Sequence, residues 1–144
     1  MESVQFIITE VWDSDAIIAL YKEAGWWKDE YDPGEIPEFI RASYRFCVGV
    51  HQSTGETIAT GRIISDGIST GIIQDMCVLK KFRGQGIGHH LLTFLINTAR
   101  DAGLPRIILV AEPDTSPFYE QSDFIADKKK IFLLYQKGRD YEDT

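Results

Sequence analysis

Three glycines alternate with other residues in the stretch Arg83-Gly84-Gln85-Gly86-Ile87-Gly88. Glycines at this spacing would weaken the interior of a helix or a strand, because glycine loses the most conformational freedom on folding. Between the end of a strand and the start of a helix, they let the backbone approach a ligand and leave the first helical N–H groups pointing outward. Such an arrangement binds anions, most often phosphates. The stretch therefore predicts an anion-binding turn.

The sequence on either side supplies the two elements that such a turn needs. Residues 74–79 form an apolar run typical of a strand, and the apolar residues of 87–102 recur at the period of an amphipathic helix. Two familiar phosphate loops are excluded. The stretch lacks the Gly-Lys-Ser/Thr ending of a P-loop, and His89 stands where a dinucleotide-binding loop has its third glycine.

The chain before the turn predicts two helices and four strands. Asp13 can cap the first helix and Gly25 can end it, and residues 36–44 predict the second helix. The strands are predicted at residues 4–9, 46–51, 57–65 and 69–79. The last three should form an antiparallel meander, in which Gly71 marks either a bulge or a close approach.

The chain after the turn predicts the remaining elements. A strand at residues 106–111 should pair in parallel with the strand before the turn, because the helix between them makes a crossover connection. Asp114 or Thr115 can cap a short helix at residues 116–121, strands are expected at 124–126 and 131–135, and the tail 137–144 should be frayed. We expect one α/β (α+β) domain over residues 1–144, with a mixed, mostly antiparallel sheet of six to seven strands and about four helices.

Composition and charge argue against several classes of protein. The net charge is 15 − 22 = −7, which argues against general binding to nucleic acid or anionic membranes. No segment approaches the roughly 18 apolar residues of a membrane span, and the N-terminus lacks the features of a signal peptide. Cys47 and Cys77 lie in apolar runs and favour buried free thiols, and three scattered histidines argue against zinc. We expect a cytoplasmic protein without a metal.

The turn and its surroundings resemble the GNAT family, the Gcn5-related N-acetyltransferases. The segment CVLKKFRGQGIGHHLLTFLINTARDAGLPRIIL is similar to the family's acetyl-CoA segment, and Arg83, Gly86 and Gly88 meet its pattern Gln/Arg-x-x-Gly-x-Gly/Ala. The segment SPFYEQSDF resembles the downstream Phe-Tyr-x-x-x-Gly-Phe, with Asp123 in the place of the glycine. The segment LYKEAGWW is similar to the first helix of many members. The resemblance covers most of the chain.

The resemblance implies an enzyme that transfers an acetyl group from acetyl-CoA to an amine by direct attack in a ternary complex. A non-catalytic acyl-CoA-binding or sensor module is the alternative. The acceptor would be a small-molecule or peptide amine, and dimers are common in the family.

The resemblance also implies how the donor is held. The pyrophosphate of coenzyme A would lie on backbone amides near the positive charges of Lys80, Lys81 and Arg83. Those amides belong to Gly84, Gln85, Gly86, Ile87, Gly88 and His89. Pantetheine would pair with the preceding strand at Met76, Cys77 and Val78, where a backbone N–H would polarise the thioester carbonyl.

The family resemblance implies the general acid, whereas the general base is inferred from positions in the strands. By the resemblance Tyr119 would protonate the leaving thiolate, a task that suits a side chain with a reference pKa of about 10; the alternative is a tyrosine that only packs. Asp75 is the first candidate for the base, because strand alternation predicts that it shares a face with Cys77 and Ile73. Glu112 is the second candidate. Each carboxylate could also be an ordinary solvated residue at a strand end.

By the same resemblance Trp26, Trp27 and Tyr31 would form a lid over the acceptor site. Four carboxylates close to them would suit a cationic amine. A solvated acidic loop with one tryptophan in the core is the alternative. The carboxylates are those of Asp29, Glu30, Asp32 and Glu35.

Overall fold

The structure is a computed structural model that describes residues 3–136, so the predicted frayed tail at 137–144 lies outside the described residues. The chain divides between Ala111 and Glu112 into two compact units. The first unit contains five strands, which are β1 (Val4–Ile8), β2 (Arg45–His51), β3 (Thr57–Ile64), β4 (Thr70–Val78) and β5 (Arg106–Leu109). Its helices are α1 (Ser14–Glu23), α2 (Ile36–Ala42) and α3 (Ile87–Asp101), with short 3₁₀ turns at Pro33–Glu35 and Lys80–Phe82. The second unit contains α4 (Ser116–Glu120).

The five strands form one mixed sheet in the order β1-β2-β3-β4-β5. The pairs from β1 to β4 are antiparallel, and β5 is parallel to β4. The predicted meander and the predicted parallel pair are therefore confirmed. The α/β class is confirmed as well.

The prediction of six to seven strands is wrong for the part of the chain that is described. Residues 124–126 and 131–135 form no strand there, although the turn between them is present, with the Lys129 N–H donating to Asp127 Oδ1 at 3.1 Å. Ile131 and Leu133 are 81% and 85% exposed. A β-prone run becomes a strand only where a neighbouring backbone accepts its hydrogen bonds, and sequence pattern does not reveal that neighbour.

Local sequence accounts for the bounds of α1. The Asp13 carboxylate accepts a hydrogen bond from the Asp15 N–H at 3.1 Å and caps the first turn, as predicted. Gly25 takes a φ of +82°, a left-handed conformation that favours glycine and ends the helix. Between them Ile17, Leu20 and Tyr21 are buried.

The two faces of the sheet are covered by different helices. On one face, α1 and α2 enclose Phe46, Val48 and Cys77 in a single apolar cluster. On the other face α3 packs so closely that a Cβ on Gly61 would come 3.0 Å from Leu95 Cδ1. Gly71 also reflects a close approach, because its Cβ would lie 2.8 Å from Leu104 Cδ1. None of the helices within residues 3–136 is long and apolar enough to cross a membrane.

A pair of isoleucines tests the contribution of the α1 face. Ile17 is fully buried and Ile68 is 80% exposed. We expect Ile17→Ala to lower the free energy of unfolding by about 2–5 kcal/mol, because it removes buried methyl groups and leaves a cavity. Ile68→Ala should change it by less than about 0.5 kcal/mol. Urea unfolding of both variants measures the difference, and equal effects would contradict the assigned packing.

Candidate functional site

A β-bulge interrupts the pairing of β3 with β4. Thr60 lies opposite Cys77 and Arg62 lies opposite Gln74, so the single residue between Thr60 and Arg62 faces two residues of β4, Asp75 and Met76. Asp75 takes a φ of +58°, in the left-handed region that few residues other than glycine adopt. An extra residue of this kind bends its strand and redirects the backbone groups beside it.

The sheet opens at this bulge. The parallel pairing of β4 with β5 runs from Thr70 and Arg106 to Ile73 and Leu109 and stops there, whereas β4 continues to Val78. Among residues 3–136, no strand pairs with this last part of β4 on its β5 side. The end of β4 therefore offers an open strand edge, which is suited to pairing with an extended ligand.

One donor on this open edge can be assigned from the pairing. The Leu79 N–H donates to Ile58 O across the β3 side at 2.9 Å. Because backbone groups alternate along a strand, the Val78 N–H points to the opposite, open side. Val78 O accepts from Arg83 Nε at 2.9 Å, which ties the predicted anion-binding turn to the same edge.

The predicted anion-binding turn has the expected form. Gly84 and Gly86 take φ values of +81° and +83°, and a Cβ on either residue would meet no atom within 4 Å. The left-handed conformation therefore favours glycine at both positions, since no neighbouring atom would exclude a larger side chain. Gly86 is the N-cap of α3, and the first bond of the helix runs from the His90 N–H to Gly86 O at 3.1 Å.

The amides of the first turn of α3 consequently have no partner one turn earlier in the helix. No side chain within residues 3–136 caps this terminus, and Arg83 is exposed beside it. Buried Ile87 fixes the helix start to the core. The His89 and His90 rings lie 6.3 Å apart, and Gln85 is half-buried in the turn. The turn can therefore bind an anion through the partial positive charge of the helix terminus.

The bulge also changes which side chains share a face of β4. Cys77 and Gln74 lie opposite Thr60 and Arg62, which share one face of β3, whereas Ile73 lies opposite Ile63 on the other face. The prediction that Ile73 shares a face with Cys77 is therefore wrong, because the extra residue shifts the alternation. Asp75 remains close to Cys77, whose pKa it helps to raise.

Sequence reasoning missed the partner of Asp75. Arg62 Nε donates to Asp75 Oδ2 at 2.7 Å, and the two side chains are 17% and 33% exposed. The Arg62 guanidinium also lies 4.0 Å above the Phe39 ring and 3.4 Å from Ser43 Oγ. The signal was present, because a lone arginine in the apolar strand Thr57–Ile64 needs a buried partner.

The two cysteines are buried free thiols, as predicted. Burial, and secondarily the Asp75 carboxylate, raises the pKa of Cys77 to about 12. Burial raises the pKa of Cys47 to about 12 as well. Since the thiolate is the nucleophile, neither side chain suits covalent catalysis near neutral pH.

The predicted lid residues differ in burial. Trp27 is partly buried against the apolar cluster and makes an edge contact with Tyr31, with ring centroids 5.5 Å apart. Trp26 is 43% exposed and packs 5.7 Å from the Tyr21 ring. The four predicted carboxylates are exposed, but Asp32 is engaged in the local turn, where it accepts from the Gly34 N–H at 2.8 Å.

The second unit contains Tyr119 and Glu112. Tyr119 lies on α4 and packs against Phe118 and Phe124, with ring centroids 5.0 and 6.3 Å away. Burial, and secondarily the Glu112 carboxylate, raises the pKa of Tyr119. Its phenol therefore keeps its proton at neutral pH. Asp123 takes a φ of +70°, so it adopts the left-handed conformation that a glycine would supply.

Within the described part of the chain, no group of three or more His, Cys, Asp or Glu side chains is placed to hold a metal ion. The predicted site residues of the first unit thus divide into an open edge at Met76–Val78, an anion-binding turn that begins at Arg83, and the Arg62–Asp75 pair beside the bulge. Trp26, Trp27 and Tyr31 lie around the end of α1 and the loop after it.

Two curated relatives cover part of this chain. A glucosamine 6-phosphate N-acetyltransferase of Trypanosoma brucei brucei is 30% identical over 94 residues, which cover 61% of this chain and 62% of the relative. A chloroplastic serotonin N-acetyltransferase 2 of Oryza sativa subsp. japonica is 30% identical over 94 residues, with 64% and 47% covered. The chain therefore spans less than two thirds of the length of either relative.

A solved structure shares the fold more completely. The crystal structure of an acetyltransferase of Trypanosoma brucei superposes with a TM-score of 0.74 at 23% identity, over 92% of this chain and 100% of that one. The model of the Acetyltransferase (GNAT) family matches residues 6–124, which include the strand edge, the turn and α4. The chain belongs to the GNAT family of acetyltransferases.

Proposed function

We propose that this chain is an N-acetyltransferase that transfers an acetyl group from acetyl-CoA to a primary amine by direct attack in a ternary complex. The observation that carries the proposal is the open edge of β4, tied by the bond from Arg83 Nε to Val78 O to the turn that begins α3. The chain thereby offers a strand edge for pairing with an extended ligand, followed directly by an anion-binding turn. Coenzyme A needs both, one for pantetheine and one for the pyrophosphate.

On this proposal the donor lies along residues 76–89. The pyrophosphate binds the amides from Gly84 to His89, and the Arg83 guanidinium adds positive charge. Pantetheine pairs with Met76–Val78, and the outward Val78 N–H is a donor for the pantetheine or the thioester carbonyl. A fixed donor aimed at the oxyanion that develops during attack is commonly a large catalytic contribution.

The chemistry then requires two proton transfers. The amine nitrogen attacks the thioester carbon, and a carboxylate takes the proton that the amine loses. The carbon–sulfur bond breaks, and the thiolate takes a proton from Tyr119. The raised pKa of Tyr119 keeps the phenol protonated, which is the form that this step requires. The raised pKa of Cys77 supports direct attack on acetyl-CoA rather than an acetyl-cysteine intermediate.

Asp75 is the proposed base, since it lies at the bulge where the sheet opens. Arg62 Nε donates to Asp75 Oδ2, and on this proposal Oδ1 takes the proton of the amine. Glu112 remains the alternative base, and its carboxylate is close enough to Tyr119 to raise the pKa of the phenol.

The proposed acceptor class rests on the names of the relatives and on the charges beside Trp27. The relatives are named for glucosamine 6-phosphate and for serotonin, and both compounds are small primary amines. The exposed carboxylates of Asp29 and Glu30 beside Trp27 favour an acceptor with positive charge. We therefore propose a small amine rather than a protein as the acceptor.

A panel of amines tests the reaction. Release of coenzyme A thiol from acetyl-CoA is followed with glucosamine 6-phosphate, serotonin, spermidine, an aminoglycoside, an amino acid and a peptide. We expect at least one small amine to accelerate release well above hydrolysis. Tight coenzyme A binding with no acceleration by any amine would instead identify the non-catalytic acyl-CoA-binding module.

Gly86→Ala tests the anion site, with Gly103→Ala as its matched control. Both glycines take a φ of +83°, and a Cβ on either meets nothing within 4 Å. Each substitution should therefore cost about 1 kcal/mol of stability through backbone strain. Only Gly86→Ala should weaken coenzyme A binding, by about tenfold, since a helix-terminal site needs the amides in place. Calorimetry measures the affinities, and an equal loss in both variants would contradict the site.

Tyr119→Phe tests the acid, with Tyr135→Phe, a 72% exposed tyrosine, as its control. Removing a general acid should lower kcat by about 10²-fold and leave the KM for acetyl-CoA nearly unchanged. If the wild-type protein loses activity above about pH 9 because this phenol ionises, Tyr119→Phe should not show that loss. Steady-state kinetics between pH 6 and 10 measures both effects. Wild-type kcat in Tyr119→Phe would remove Tyr119 as the acid.

A further inference from the structure

The hydroxyl of Tyr21 makes no hydrogen bond within residues 3–136. Tyr21 is only 7% exposed, and among the described residues its Oη is a buried polar atom without a hydrogen-bond partner. Its ring packs against Trp26 and Phe39, with centroids 5.7 and 6.1 Å away. A phenylalanine would make the same ring contacts and would avoid the cost of an unpaired buried hydroxyl. The tyrosine therefore calls for another explanation.

The surroundings of this hydroxyl are the Arg62–Asp75 pair. Three groups act on it electrostatically, and they are Asp75 and Cys77 on β4 and Arg62 on β3. Phe39 of α2 packs on the Tyr21 ring, and Ser43, the residue after α2, contacts Arg62. Burial, with the Asp75 carboxylate second, raises the pKa of Tyr21. The hydroxyl thus keeps its proton and remains a hydrogen-bond donor.

Of the three groups that act on this hydroxyl, Asp75 is the carboxylate and so the acceptor of the right charge. Its Oδ2 is held by Arg62, which leaves Oδ1 as the oxygen to which a second donor can bind. In ligand-free proteins, hydrogen bonds that serve catalysis are often long and shorten only when the substrate is bound. The Tyr21 hydroxyl, which has no hydrogen bond within the described part of the chain, could form such a bond to Asp75 when substrate binds.

Resting on the proposed function, we propose that Tyr21 is a positioning residue that acts through Asp75. When an amine occupies the acceptor site, the Tyr21 hydroxyl donates to Asp75 Oδ1 and, with Arg62 on Oδ2, fixes the carboxylate in its charged form toward the amine. Tyr21 itself neither gains nor loses a proton.

Tyr21→Phe tests this proposal, with Tyr44→Phe as the control for loss of a phenol at another position, immediately before β2. The substrates are acetyl-CoA and the fastest amine of the panel. We expect Tyr21→Phe to melt at or above the wild-type temperature, because an unpaired buried hydroxyl is removed. We also expect kcat to fall about tenfold, with unchanged affinity for coenzyme A. Tyr44→Phe should retain wild-type kcat.

The pH profile separates this role from a purely structural one. The charged carboxylate loses a donor in Tyr21→Phe, so its protonation becomes easier. The acid limb of kcat, which reports the enzyme–substrate complex in which this bond forms, should therefore move to higher pH. In an Asp75→Asn background, which has no carboxylate to position, Tyr21→Phe should cause no further loss of kcat.

The outcomes distinguish the two proposals. Wild-type kcat and an unchanged acid limb in Tyr21→Phe would overturn the positioning role and leave the acetyltransferase proposal intact. A lower melting temperature would overturn it too, since the hydroxyl would then stabilise the fold. An additional loss in the Asp75→Asn background would show that Tyr21 does not act through Asp75. Absence of turnover in the wild-type protein would overturn both proposals.

Discussion

The insertion of one extra residue into β4 opposite β3 is the constraint on which the described site depends. Before the bulge at Asp75, β4 is an interior strand, hydrogen-bonded to β3 on one side and to β5 on the other. After the bulge it keeps β3 and loses β5. The same strand can therefore belong to the core of the sheet in its first half and present an open edge in its second half.

Much of this architecture follows from sequence periodicity, and the bulge does not. Apolar spacing predicts α1 and α3, and the glycines predict the turn after β4, because helices and turns are determined by neighbouring residues. The run at residues 69–79 is mostly apolar, and Asp75 in it reads as an ordinary member of an alternating strand rather than as a bulge. The sequence instead suggests a bulge at Gly71, but this glycine allows the close packing of Leu104. A bulge depends on how two strands pair, and pairing is not local.

The non-local nature of strand pairing also explains the other differences between the predictions and the structure. Residues 131–135 have the composition of a strand, but composition cannot supply a neighbouring strand. Arg62 and Asp75 are 13 residues apart in sequence and become partners only through the register of β3 and β4. The chemical character of the turn could be predicted because it resides in consecutive residues. The partner of the proposed base could not, because it lies on another strand.

The departures from ordinary backbone conformation occur at two places in the described part of the chain. Within residues 3–136, the non-glycine residues with positive φ are Asp75, Asp114 and Asp123. The first forms the bulge, and the other two flank α4, which contains Tyr119. Aspartate accepts the left-handed conformation at less cost than most side chains, but three such sites and one unpaired buried hydroxyl still lower stability. Since strain of this kind persists only where the surrounding structure enforces it and is common at functional sites, the bulge at Asp75 supports the proposal that the end of β4 serves the chemistry.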